Sequence, residues 1–187
     1  MDFIKVKAAA VDITVNEDML TNELMSIPEH KWSSNTDQYS DSQWKTMFLT
    51  KNNVQEFNDF KTAKNIKHSE WFWDNDLDIP YIRSLVESLP LTHVGMIRAF
   101  VLEGPLVMHT DCDHSTTDDV TYRFGLTIAS KLEEPMLLGN DRITEKNVVF
   151  DDSEFHGFPN ATGKQISIRI FGDFDYTQFK ITKLYER

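Results

Sequence analysis

The chain has 187 residues, 40% apolar and 12% aromatic, which suits one compact domain with a real hydrophobic core and excludes an intrinsically disordered chain. Its net charge of −11, from 30 acidic and 19 basic side chains, argues against a surface built to grip a nucleic-acid backbone. A single cysteine, Cys112, allows no intrachain disulfide and suits a reducing, cytoplasmic setting. No apolar run approaches a membrane span, and the opening Met1–Lys5 lacks the apolar core of a signal peptide.

Gly and Pro are sparse and no repeat is visible, so residues 1–187 are expected to form a single domain. Residues 1–92 read as a mixed helix and strand support, 93–176 as a β core, and 177–187 as a C-terminal tail. Residues 3–14 look extended. Asn16 is placed to cap a short helix with Glu17 and Asp18 in its first turn, Leu20 and Leu24 on one face, and Pro28 at its end. Residues 29–43 read as a polar loop and Met47-Phe48-Leu49 as a strand. Pro80 opens a second helix whose Ile82, Leu85, Val86 and Leu89 follow helical spacing, and Pro90 stops it.

The second half reads as β throughout, with strands expected at 93–102, 105–111, 121–130, 135–138, 147–151 and 165–174. Tyr122, Phe124, Leu126 and Ile128 alternate with Arg123, Gly125 and Thr127. Short strands separated by turns predict a mainly β fold, a sandwich or jelly roll, with the N-terminal helices on one face.

Six histidines occur, and two of them fit a metal site with one acid. His109 and Asp111 are two apart in an extended segment, so both side chains point to one side. His156 follows a second strand that ends in Asp151-Asp152. Two imidazoles and one carboxylate on one face of an ion form the non-haem Fe(II) arrangement. Taken singly, His-x-Asp is an ordinary strand-end pair and His156 an ordinary loop histidine.

Arg169 adds weight. In Gln165-Ile166-Ser167-Ile168-Arg169-Ile170-Phe171 the three isoleucines face one way, and Ser167, Arg169 and Phe171 the other. A guanidinium in such a strand needs an anion. That anion is either Asp173 or another acid of the chain, or the distal carboxylate of 2-oxoglutarate, which arginine holds with two parallel bonds.

His109-Thr110-Asp111, His156 and Arg169, in that order, resemble the signature of the Fe(II)/2-oxoglutarate dioxygenases. Within them, the stretch from about Ile97 to Tyr176 is similar to the aspartyl/asparaginyl β-hydroxylase group, which includes bacterial proline hydroxylases. Tyr122-Arg123-Phe124-Gly125-Leu126, Val148 through His156, Asn160 and Ile168-Arg169-Ile170 carry the likeness, which covers less than half of the chain. The resemblance implies a double-stranded β-helix of the jelly-roll, cupin-like kind, Fe(II) on His109, Asp111 and His156, and 2-oxoglutarate on Arg169, with Arg123 as a second cosubstrate-binding group or a holder of a substrate carboxylate. It implies hydroxylation of an unactivated carbon by O2, on an amino-acid side chain free or in a peptide, with release of succinate and CO2. The animal enzyme of the group has Gly in place of the carboxylate ligand, whereas this chain has Asp111.

Two other classes compete: a non-catalytic cupin-like protein that binds a metal or small molecule, and a zinc hydrolase using the same His/Asp/His set. Arg98 is another candidate for the role given to Arg123, and both arginines read equally as salt-bridge partners for the many acids, the reading favoured for Arg98; His93 reads as structural, and the tryptophans as core or lid. Residues 112–120, polar and rooted beside the expected metal, predict a mobile loop with His114 facing substrate, equally readable as a plain surface connection.

Overall fold

The computed structural model describes residues 5–35, 43–53, 66–111 and 123–187. Along them run β1 (Val6–Val11), α1 (Glu17–Ser26), β2 (Ser33–Asn35), β3 (Gln43–Phe48), β4 (Thr50–Asn52), β5 (Trp71–Trp73), α2 (Pro80–Glu87), β6 (Leu91–Glu103), β7 (Leu106–His109), β8 (Phe124–Leu132), β9 (Met136–Leu138), β10 (Asp141–Ile143), β11 (Asn147–Asp151), β12 (His156–Phe158), β13 (Lys164–Phe174) and β14 (Ile181–Glu186). An antiparallel sheet of order β14-β1-β11-β8-β13-β6-β3-β2 faces a smaller one of order β10-β9-β12-β7. The result is a mainly β sandwich. Among the described residues, no helix is long and apolar enough to cross a membrane.

Strand alternation sorts the core into two layers. Ile166, Ile168 and Ile170 of β13, with Leu126 and Ile128 of β8, pack on Leu20 and Leu24 of α1 and Ile82, Leu85 and Val86 of α2. The opposite face of the same strands looks toward the smaller sheet. In β11, Val149 joins the helix side while Val148 and Phe150 join Met136, Leu138 and Ile143 on the other. Each buried aliphatic side chain contributes roughly 1.5–3 kcal/mol, which makes the helix-covered layer the main support of the site-bearing strands.

The helix signals act as expected, with one addition. Asn16 accepts the Met19 N–H at 3.1 Å, and the helix ends at Ser26 ahead of Pro28. α2 has Pro80 in its first turn and no side-chain cap of its own. Glu23 of α1 supplies one, accepting the N–H groups of Tyr81 and Ile82 at 2.6 and 2.8 Å.

Several boundaries differ from the sequence reading. The expected loop at 29–43 contains β2 and the start of β3, and the tail contains β14, hydrogen-bonded to β1 at the sheet edge. The three-residue strands β4, β5, β10 and β12 are too short to show alternation, so nothing in the sequence marked them. The strand expected at 105–111 stops at His109, leaving Asp111 just past its end.

Candidate metal centre

His109 and His156 are brought together by strand pairing. They are direct Cα partners between β7 and β12, and their ring centroids lie 4.6 Å apart. Asp111 lies between them, with Oδ1 3.5 Å from His109 Nε2 and Oδ2 3.5 Å from His156 Nε2. One ligand atom from each of the three side chains lies within 4.8 Å of the other two. This is the one group of three such side chains found among the described residues.

The rings are oriented for coordination. His109 Nδ1 donates to the Val107 carbonyl at 2.9 Å and His156 Nδ1 to the Glu154 carbonyl at 2.8 Å. A carbonyl only accepts, so the Nδ1 positions carry hydrogens, which leaves Nε2 of each ring as the candidate ligand atom facing Asp111. Burial works against a charged His109, but Asp111, the Val107 carbonyl and Asp152 outweigh it and raise its pKa. A divalent cation would replace the proton that this acidic surrounding attracts.

The turn after β11 is built to hold His156 in place. Asp151 is fully buried; its Oδ1 accepts from the Ser153 N–H and hydroxyl at 2.9 and 2.6 Å. Its Oδ2 meets Arg187 at 2.7 Å and Arg123 at 3.1 Å. Arg187 also pairs with Glu154, whose carbonyl receives His156. The Asp111 N–H donates to the Asp152 carbonyl at 2.9 Å, joining the end of β7 to this turn.

A cavity of about 110 Å³ opens between the sheets, lined by all three candidate ligands and by Arg169, Arg98, Thr127 and Gln165. Arg169 is 5% exposed and donates through Nη1 to Thr127 at 2.9 Å, and through Nη2 to the Phe150 carbonyl at 2.9 Å and to Asp152. Of its five N–H groups, one on Nη1 and that on Nε are outside these bonds. Its guanidinium carbon lies 3.5 Å from the Phe150 ring centroid. Burial lowers its pKa, opposed by Asp152 and Asp111. Gly125 makes room for it, since a Cβ there would sit 2.8 Å from Arg169 Nε.

The partner of Arg169 is thus Asp152, one of the chain's acids, rather than Asp173, which instead joins His68 at 2.7 Å and His93 at 2.9 Å. Asp173 is thus shared between buried His68 and half-exposed His93. Arg98 is the direct Cα partner of Arg169 across β6 and β13. Its Nε donates to Thr46 at 2.6 Å, and it lies 5.2, 5.5 and 5.8 Å from the ring centroids of Phe100, Phe48 and Trp44. Burial pulls its pKa down to about 10, with Asp111 opposing.

Arg123 is not among the residues lining the cavity; it faces Asp151 instead. His114 and the expected loop at 112–120 lie outside the described residues. Sequence reasoning missed Asp152, Asp151, Thr127 and Gln165. The signal for the first two was visible, because two adjacent acids closing the apolar run Val148-Val149-Phe150 need buried cations.

No protein-family model matches the chain, and no curated protein matches it.

Proposed function

We propose that the protein is a non-haem Fe(II) oxygenase that uses 2-oxoglutarate, with the sandwich serving as a double-stranded β-helix. The convergence of His109, Asp111 and His156, each ring fixed through Nδ1, carries this reading. Two histidines and one carboxylate leave positions open on a bound ion, as an oxygenase needs. With Fe(II), 2-oxoglutarate and O2 bound, the centre supplies the oxidation that hydroxylates an unactivated carbon and releases succinate and CO2.

The chain's own residues prepare the cavity for an anion. Among the described residues, the guanidinium groups of Arg169 and Arg98 offset the carboxylates of Asp111 and Asp152. A divalent cation then leaves two positive charges in a low-dielectric space, which a dianion such as 2-oxoglutarate neutralises. Arg169 contributes the N–H groups outside its bonds to Asp152, Thr127 and Phe150, while Asp152 and the Phe150 ring hold its plane. The apolar walls, including Phe150, Leu106 and Phe158, keep water from the reacting carbon.

The substrate is an amino-acid side chain, free or in a peptide, and the lone Cys112 and the Fe(II) requirement suit the cytoplasm. The ion pair of Arg169 with Asp152 favours one other reading, in which Arg169 is purely structural and the His/Asp/His set serves a zinc hydrolase or a metal-binding protein. Succinate formation from 2-oxoglutarate, screened over amino acids and peptides with and without added Fe(II), separates the two. The oxygenase reading requires iron-dependent succinate that His156→Ala abolishes; zinc-dependent hydrolysis without succinate would replace it.

A further inference from the structure

Gln165 lines the same cavity, is 4% exposed, and among the described residues has no hydrogen-bond partner on either Nε2 or Oε1. Interchanging the two ends of the amide changes nothing, because both are unsatisfied. A buried donor and acceptor left together without partners are costly and point to an occupant.

The position of Gln165 says what kind of occupant. Gln165, Ser167 and Arg169 form the inward row of β13, and all three line the cavity. Four residues of extended chain put Gln165 roughly 13 Å along the strand from Arg169. Its Cα partners are Leu102 of β6 and Leu132 of β8, so its flanks are apolar. Lys131 also borders the cavity, but its Nζ is held by Glu133 at 2.6 Å.

We propose that Gln165 is a specificity-determining contact for the end of the substrate remote from the metal, and that this end carries a carboxamide. The proposal rests on reading the cavity as the substrate chamber of the metal centre. A carboxamide sets a C=O beside an N–H2, so two bonds to Gln165 satisfy both of its atoms at once. A carboxylate offers only acceptors, leaves Oε1 facing lone pairs, and brings a charge against the two leucines. An aliphatic end leaves the amide as it is.

Butyramide, 2-pentanone and butyrate share one shape and differ only at the head group. Titrated into the Zn(II)-loaded protein, whose diamagnetic ion leaves nearby resonances sharp, and followed by nuclear magnetic resonance, butyramide is expected to bind about tenfold tighter than the other two, as two net hydrogen bonds allow. It alone should shift the side-chain amide resonances of Gln165. Gln165→Met should remove the preference by weakening butyramide only, and the resonance test in the wild type stands even where that variant fails to fold. Equal affinities, or unmoved Gln165 resonances, would mean that the amide serves an ordered water only and would overturn the proposal. A parallel titration with 2-oxoglutarate keeps the two readings apart. Binding of 2-oxoglutarate without the butyramide preference removes this inference alone, and the preference without 2-oxoglutarate binding removes the oxygenase reading alone.

Discussion

Arg169 and Asp152 form an ion pair inside the sandwich, on side chains 6% and 0% exposed. Breaking such a pair from one side strands the other charge. Asp152→Ala is therefore expected to cost about 3–5 kcal/mol of stability. Urea unfolding measures it. A loss below about 1 kcal/mol would place the pair in the range of exposed surface bridges and contradict its burial.

Gly125 tests the same guanidinium from the other side. A Cβ at this position meets Arg169 Nε and Phe171 Cε1, both at 2.8 Å. Because Phe171 is buried, neither neighbour yields easily. Gly125→Ala is expected to destabilise by about 1–3 kcal/mol, as overpacking does. Thermal unfolding checks it, and an unchanged midpoint would show that Arg169 can move aside.

The three candidate ligands should act as a set. His109→Ala, Asp111→Ala and His156→Ala are each expected to weaken Mn(II) binding by more than about 100-fold, exceeding the loss typical of outer-shell partners. Circular dichroism should stay close to that of the wild type, because the helix-covered core does not include these side chains. An Asp111→Ala protein that binds Mn(II) as the wild type does would remove the carboxylate from the set.

Acid should act through the buried carboxylate that holds the His156 turn. Burial alone would raise the Asp151 pKa, but Ser153, Arg187 and Arg123 outweigh it and hold it below its ordinary value of 3.8. Its contribution to stability is therefore present above that ordinary value and is lost as pH falls through the lower folded-state value. Asp173, held down by His68 and His93 against its burial, acts in the same direction. Urea midpoints measured downward from about pH 5 should fall less steeply in Asp151→Asn than in the wild type. Parallel curves would assign the acid limb to other groups.

Much of this site was legible in the residues themselves. The inward row of Ser167 and Arg169 follows from period-two alternation, and the strand before His156 was visible as an apolar run. His109 and Asp111 reach the same cavity although their strand stops at His109, because the bend that follows keeps the Asp111 carboxylate between the two rings. Helix limits were equally readable, because Asn16, Pro28, Pro80 and Pro90 act on their own neighbours. What stayed hidden depends on long-range pairing. That Arg169 meets Asp152 rather than Asp173 follows from how the turn after β11 folds back beside β13, and no local pattern states it. Gln165 looked like any polar strand residue until β6 and β8 enclosed it between Leu102 and Leu132. Of the two readings open for Arg123, a ligand contact or a salt bridge, only the folded turn decides, and it sets the guanidinium on Asp151.

On the proposed function, His109, Asp111 and His156 hold an Fe(II) that 2-oxoglutarate chelates. Visible absorption of the Fe(II)-loaded protein under anaerobic conditions tests it without any knowledge of the substrate. Adding 2-oxoglutarate should produce a new charge-transfer band that saturates at one equivalent per chain and is absent from His109→Ala, Asp111→Ala and His156→Ala. A spectrum unchanged by 2-oxoglutarate, in protein shown to bind one Fe(II), would contradict the account.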